Sequence, residues 1–180
     1  TIAAKNEFLG AKDALSDQKF DNAIEKFLNA QASFIAAGNA SDKIILLKYI
    51  PVLRRQFQAA DGLLEAGDGL SGALAQLSKV AGDIFEPLQG EKDLSFDKIN
   101  PQQKRQILKN LYESPPDLQG IKAEIDLVYL GASNIPEKGL LKQVREVVAP
   151  FKEGLNELKY IIDSAVPLAE ILPPILGYPK

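Results

Sequence analysis

Between Pro51 and Phe85 the apolar positions fall at Val52, Leu53, Phe57, Leu63, Leu64, Leu70, Leu74, Leu77, Val80, Ala81 and Ile84. That spacing predicts one long helix, since a strand rarely holds more than about ten residues. A proline opens the stretch, where the first helical turn tolerates it, and Pro87 marks its end. Upstream, Ile2, Phe8, Leu9 and Leu15 predict a helix over 2–15, and Phe20, Ile24, Phe27, Leu28, Phe34 and Ile35 a second over 20–37, with Gly38 as its C-cap. The short Ser16-Asp17-Gln18-Lys19 link makes these an antiparallel hairpin. The run from Phe20 to Ala30 is similar to the second helix of a tetratricopeptide unit. No second copy follows one period later, so no peptide-binding solenoid is expected.

Downstream, Ser41 or Asp42 caps an apolar segment, 44–50, with a bend at Pro51. Residues 86–100 are irregular, with Leu94, Phe96 and Ile99 tucking the loop onto the bundle. Asn100-Pro101 starts a helix that runs to Glu113 with Ile107, Leu108 and Leu111 inward. Ser114-Pro115-Pro116-Asp117 stops it and starts another, which carries Leu118, Ile121, Ile125, Leu127 and Val128 and ends at Gly131. After a boundary at Asn134-Ile135-Pro136, a last long segment, 136–172, places Leu140, Leu141, Val144, Val147, Val148, Phe151, Leu155, Leu158, Ile161, Ile162 and Val166 at helical spacing. Pro150 and Pro167 predict kinks and Pro173-Pro174 a stop. The expected fold is an all-α helical bundle, a single domain over 1–180, with an N-terminal tetratricopeptide-like hairpin and two long helices.

The central helix is rich in small residues, Gly62, Gly67, Gly69 and Gly72 among several alanines. Each interior glycine costs about 1 kcal/mol relative to alanine. Close approach of a neighbouring helix explains them, or a break between Gly67 and Gly69.

Composition narrows the chemistry. The 180 residues suffice for a core without staples. There is no histidine and no cysteine, which removes thiol catalysis, disulfides and the commonest metal ligand and general base. Lys plus Arg is 21 against 24 Asp plus Glu, with the signs interspersed, so neither a nucleic-acid groove nor a polybasic membrane patch is expected. No apolar run reaches the ~20 residues of a membrane span. The opening Thr1-Ile2-Ala3-Ala4, already helical in pattern, and the ending Gly177-Tyr178-Pro179-Lys180 read as cuts in a longer protein with an anchor upstream.

Several motifs tempt. Gly67-Asp68-Gly69-Leu70-Ser71-Gly72 fits a dinucleotide-binding fingerprint, but that motif needs a preceding buried strand, and a helical pattern surrounds it here. Ser95 and Lys98 have the spacing of a serine nucleophile with a lysine partner but lack the accompanying motifs. Asp61, Glu65 and Asp68 share one helix face that suits a hard cation or, more simply, water. Arg54-Arg55 suits a phosphate or carboxylate, or ordinary ion pairs. Asn39-Ala40-Ser41 matches a glycosylation sequon, and Tyr112, Tyr129 and Tyr160 are spaced as core or rim residues. Glu124 and Asp126 would be the carboxylates of a hydrolase, yet two residues apart they point to different helix faces.

The stretches Lys48-Tyr49-Ile50-Pro51-Val52-Leu53-Arg54-Arg55-Gln56 and Ala169-Glu170-Ile171-Leu172-Pro173-Pro174-Ile175-Leu176-Gly177-Tyr178, with the hairpin around Asp17-Gln18-Lys19-Phe20, resemble the membrane-proximal helical region of the bacterial cell-surface family called domain of unknown function 4012. Arg54-Arg55 stands where that family more often has glycine nearby. The resemblance implies a membrane-anchored protein facing outward, with this region as a spacer or docking module, and carries over no catalytic residues.

The expectation is therefore a non-enzymatic, extracytoplasmic helical domain with no catalytic, cofactor or metal site. Its partner would be the remainder of its own chain, another envelope protein or a second copy. No nucleic acid is expected, and the membrane is reached only through the upstream anchor. The alternative is a ligand-sensing or protein-binding bundle.

Overall fold

The computed structural model describes residues 2–43, 50–88 and 99–179, and six α-helices fill almost all of them. They are α1 (Ile2–Ser16), α2 (Phe20–Asp42), α3 (Pro51–Phe85), α4 (Pro101–Glu113), α5 (Pro115–Ser133) and α6 (Lys142–Ile175), with a 3₁₀ turn over Glu86–Leu88 after α3. No strand occurs among the described residues. The Ser95 and Lys98 pair, the loop residues Leu94 and Phe96, and residues 44–49 of the expected apolar segment lie outside them.

The chain folds as an all-α bundle with its axis in α3, whose bounds match the apolar pattern. Gln18, at positive φ, turns the chain between α1 and α2. The hairpin is zipped by Ala4, Ala11 and Ala14 against Ala23, Phe27 and Ala30, with the Phe8 ring edge-on to Phe27 at 5.4 Å. α2 then packs along one side of α3 and α5 along another, each antiparallel to it. α6 closes on α5, and α4 bridges α6 and the end of α3.

The glycines of α3 make this possible. A Cβ on Gly67 would stand 2.8 Å from the Phe34 ring and one on Gly72 3.0 Å from Gln31, both on α2. On the α5 side a Cβ at Gly69 would meet Val128 at 2.8 Å, and at Gly62 it would meet Ile135 at 2.8 Å in the connection beyond. Real Cβ atoms do not come under 3.0 Å of a neighbour, so the missing side chains at Gly67 and Gly69 seat α2 and α5, that at Gly62 seats the connection beyond α5, and the helix continues unbroken through Gly67–Gly69. Ser71 and Ser78, fully buried, return their hydroxyls to the carbonyls of Gly67 and Leu74, which satisfies them without outside partners.

Local signals work where they are local. Asn100 accepts from Gln103 N–H and the Gln103 side chain reaches back to Asn100 N–H, a complete capping box. Gln103 also donates to the Pro87 carbonyl at 2.8 Å, which ties the start of α4 to the turn after α3.

Four boundaries differ from the sequence reading. α2 runs past Gly38 to Asp42, so both Ser41 and Asp42 lie within it, and Ser41 donates to Asp61 on α3 at 2.7 Å, docking the last turn. α5 passes Gly131 and ends at Ser133. α6 begins at Lys142, after a turn with Gly139 at φ +77, rather than at Pro136. It contains all of Pro150, Pro167, Pro173 and Pro174 and stops beyond them, where Gly177 adopts positive φ and Tyr178 N–H reaches the Pro173 carbonyl at 2.8 Å.

Burial also corrects the inward assignments. Leu118, Ile121, Ile125, Val148, Leu155, Ile162 and Val166 are core residues, as the spacing predicts. Leu127, Leu141, Val147 and Ile161 face solvent instead, and α4 contributes only partly buried side chains.

Candidate functional site

The densest polar constellation joins α5 to α6. Lys122 and Asp126 stand one turn apart on α5, and Lys159 and Asp163 one turn apart on α6. Within each helix the lysine precedes its aspartate by four residues, the weaker order for an isolated helical pair. Because the helices run antiparallel, the two pairs meet head to tail. Lys122 Nζ lies 2.8 Å from Asp126 and 2.6 Å from Asp163, while Lys159 Nζ contacts Asp126 and lies 3.2 Å from Asp163. Asp163 Oδ1, which is excluded from solvent, is met by the Lys122 ammonium at 2.6 Å. Lys159 also sits 5.8 Å from the centre of the Tyr129 ring.

The alternation of sign sets the protonation states. Hydrogen bonding from Lys122, then from Lys159, holds the Asp126 carboxyl below its ordinary value. The same two lysines in the same order lower Asp163. Reciprocally, Asp126 first and Asp163 second raise both lysines. All four groups are locked in their charged forms at neutral pH, with no proton to give or take there. Since a general acid or base needs a pKa near the working pH, the cluster is suited to binding helices together rather than to proton transfer.

Beside it, Lys152 donates to the Ile135 carbonyl at 2.9 Å and to Glu137 at 2.8 Å, which lowers the Glu137 carboxyl. Lys152 and Glu137, with Tyr129, Ser133 and Asn156, border a cavity of about 270 Å³. A second cavity, about 320 Å³, lies between α2 and α3, lined by Phe34, Asn39, Asp61, Leu64, Glu65 and Asp68.

The three carboxylates singled out by their spacing thus do share one cleft. Two of them are engaged by α2, Asp61 by Ser41 and Asp68 by Gln31 Nε2 at 2.9 Å. Among the described residues no group of three or more acidic side chains is gathered closely enough to hold a metal ion. Glu124 and Asp126 part as predicted: both Glu124 oxygens accept from Gln76 on α3, at 2.9 and 3.0 Å, whereas Asp126 belongs to the ion cluster on α6. Arg55 packs against Gly139, where a Cβ would lie 2.7 Å from its guanidinium. Next to it Gln56 donates to the Gly139 carbonyl and accepts from Leu141 N–H, both at 2.9 Å, clamping the α5–α6 connection to the first turns of α3. Asn39 of the sequon lies within α2. Tyr112 meets Tyr178 edge-on at 5.6 Å, and Tyr160 is exposed.

Sequence reasoning passed over the four-charge cluster. Its signal was present as two Lys-x-x-x-Asp pairs, but only the antiparallel register of α5 and α6 brings them together.

Among the described residues no helix is long and apolar enough to cross a membrane. Comparison with protein families, with curated proteins and with solved structures finds no significant match to the chain.

Proposed function

We propose that this chain is a non-enzymatic helical spacer and docking domain of a bacterial cell-envelope protein, lying outside the cytoplasm and anchored to the membrane by another part of the full-length protein. The carrying observation is the use made of charge and of apolar surface in α6. Its polar side chains toward α5, Lys159 and Asp163, are spent on joining helices by pairing with Asp126 and Lys122, while apolar residues on its far side are turned to solvent. A helix of 34 residues spans about 51 Å, and held rigidly on one side it offers a long face on the other. The resemblance of residues 48–56 and 169–178 to the membrane-proximal region of the cell-surface family supports the setting.

The partner in this reading is the remainder of the same protein or another envelope protein. Protease added to spheroplasts carrying the full-length protein is expected to cleave within this region. Protection until the cells are lysed would place it in the cytoplasm and overturn the setting.

The acid-lined cleft between α2 and α3 supports a second reading, a bundle that senses a small cationic ligand. A thermal-shift screen of organic cations and divalent metals tests it: a saturable rise in melting temperature that Asp68→Asn and Glu65→Gln abolish would favour sensing, and no shift at millimolar ligand would remove it.

A further inference from the structure

α5 and α6 separate just beyond their ion cluster. Residues 129, 132 and 133 of α5 and 152, 155 and 156 of α6 line the cavity of about 270 Å³, to which the connection adds Glu137. Both triplets have the three- and four-residue spacing of a single helix face. Ala132 and Ser133 are too short to close the gap, whereas the small residues of α3 are met by their neighbours. Ala132 and Leu155, both buried, give the cavity an apolar base, while Ser133, Glu137, Lys152 and Asn156 are polar.

Those polar groups have bonding capacity left over. Lys152 Nζ carries three protons and gives two, to the Ile135 carbonyl and to Glu137 Oε1. No protein group among the described residues takes the third, binds the second Glu137 oxygen or pairs with the Asn156 amide. Ser133 spends its proton on the Tyr129 carbonyl and keeps its lone pairs. Donors and acceptors are therefore mixed in one small space. A polar cavity of this kind holds water until a ligand with matching groups displaces it.

Charge narrows the ligand. Among the described residues of the lining, Lys152 is the one cation and Glu137 the one anion, and they lie 2.8 Å apart. An organic anion would meet a lysine that is already neutralised, and a cation a glutamate in the same position. An apolar guest would strip the polar groups of water and leave them unpaired, which is costly. A hydroxyl donates and accepts at once, so a guest bearing several of them suits the mixture. The volume falls below the ~300 Å³ at which sites for drug-sized ligands begin, and so fits one small ring.

We propose that the cleft between α5 and α6 binds one ring of a neutral sugar, its less polar face on Ala132 and Leu155 and two neighbouring hydroxyls on Lys152 and Glu137. Lys152 donates its third proton to the oxygen of one hydroxyl, Glu137 accepts from the next, and the Asn156 amide serves a third. The proposal goes beyond the docking reading and stands on this cleft alone. It holds or fails whichever side of a membrane the domain lies on, so spheroplast proteolysis and sugar binding fail separately.

The test is a set of proton–nitrogen correlation spectra of the 180-residue chain, titrated in turn with glucose, galactose, mannose and N-acetylglucosamine. At least one is expected to give saturable shifts confined to residues 129–137 and 152–156, with a Kd on the order of 1–10 mM. Glu137 is 64% exposed and Asn156 also faces solvent, so Glu137→Ala and Asn156→Ala are expected to keep their helical circular dichroism. Each is expected to weaken binding about 10-fold. No shift in those residues with any of the four sugars at about 100 mM overturns the site, as do shifts that both variants leave unchanged. Tighter binding of gluconate or glucosamine than of glucose overturns the neutral class.

Discussion

α3 and α6 are nearly equal in length, 35 and 34 residues, and are held in the fold by opposite means. α3 lies between α2 and α5 and admits both by having little side chain where they cross, at Gly67, Gly69 and Gly72. α6 lies at the edge, is joined to α5 partly through four charges, and keeps its remaining apolar surface outside. A helix in the middle of a layer is specified by what is removed from its surface. One at the margin is specified by which of its faces finds cover, and the letters of that helix alone do not say which.

The sharpest way to break this contrast uses two adjacent residues of α6, Ile162 at 1% exposure and Ile161 at 57%. Ile162→Ala removes a packed core side chain and is expected to cost about 2–5 kcal/mol in urea unfolding. Ile161→Ala, measured at micromolar concentration, is expected to stay within about 0.5 kcal/mol of the parent. Equal effects would mean the two faces are not distinct.

Next in size is the seating of α2 on α3. Gly67→Val gains helix propensity but drives a branched side chain into the Phe34 ring, and overpacking of this kind typically costs about 1–3 kcal/mol. The expected readout is a lower urea midpoint, with a partial recovery in Gly67→Val combined with Phe34→Leu. No recovery would indicate that the strain lies elsewhere.

The ion cluster is expected to show itself through pH rather than through a large loss at neutrality, because its members remain about one-third exposed and surface pairs are screened. Asp126 and Asp163 have folded values below their ordinary 3.8, so their contribution is complete above that pH and is lost as pH falls through the lower folded values. Lys122 and Lys159 have folded values above their ordinary 10.5, so theirs is complete below that pH and is lost as pH rises through the raised ones. Urea midpoints are therefore expected to decline at both extremes. The double variant Asp126→Asn, Asp163→Asn is expected to be less stable at pH 7 and to lose less on acidification below pH 4, and an unchanged acid limb would remove the cluster as its source.

The smallest effect sharpens the contrast among glycines. Nothing lies within 4 Å of a Cβ at Gly38, so Gly38→Ala is expected to stabilise by up to about 1 kcal/mol, opposite in sign to Gly67→Val. A thermal melt separates the two.

These cases show where sequence patterning carried the structure and where it stopped. The bounds of α3, the cap at Asn100-Pro101 and the purpose of the small-residue stripe follow from signals within a few turns. Gly38 and Gly131 resemble helix ends because a glycine permits termination, but permission is not cause: the chain stays helical beyond the first of them, through the turn where Ser41 donates to Asp61. In α6 the paired apolar letters Val147-Val148 and Ile161-Ile162 announce two greasy faces with equal force. Only the position of α5 decides that 148 and 162 go in. The charge cluster likewise depends on register between helices, which no single-helix periodicity contains.

The Gln56 clamp gives the molecule a built-in reporter. Its bond to Leu141 N–H joins positions 85 residues apart, so it exists only while the α5–α6 connection is docked on the first turns of α3. Leu141 has no turn of its own helix to shelter that amide, so its hydrogen-exchange rate follows the docking of the C-terminal half onto α3. A single peak in a spectrum can therefore register whether that connection is docked.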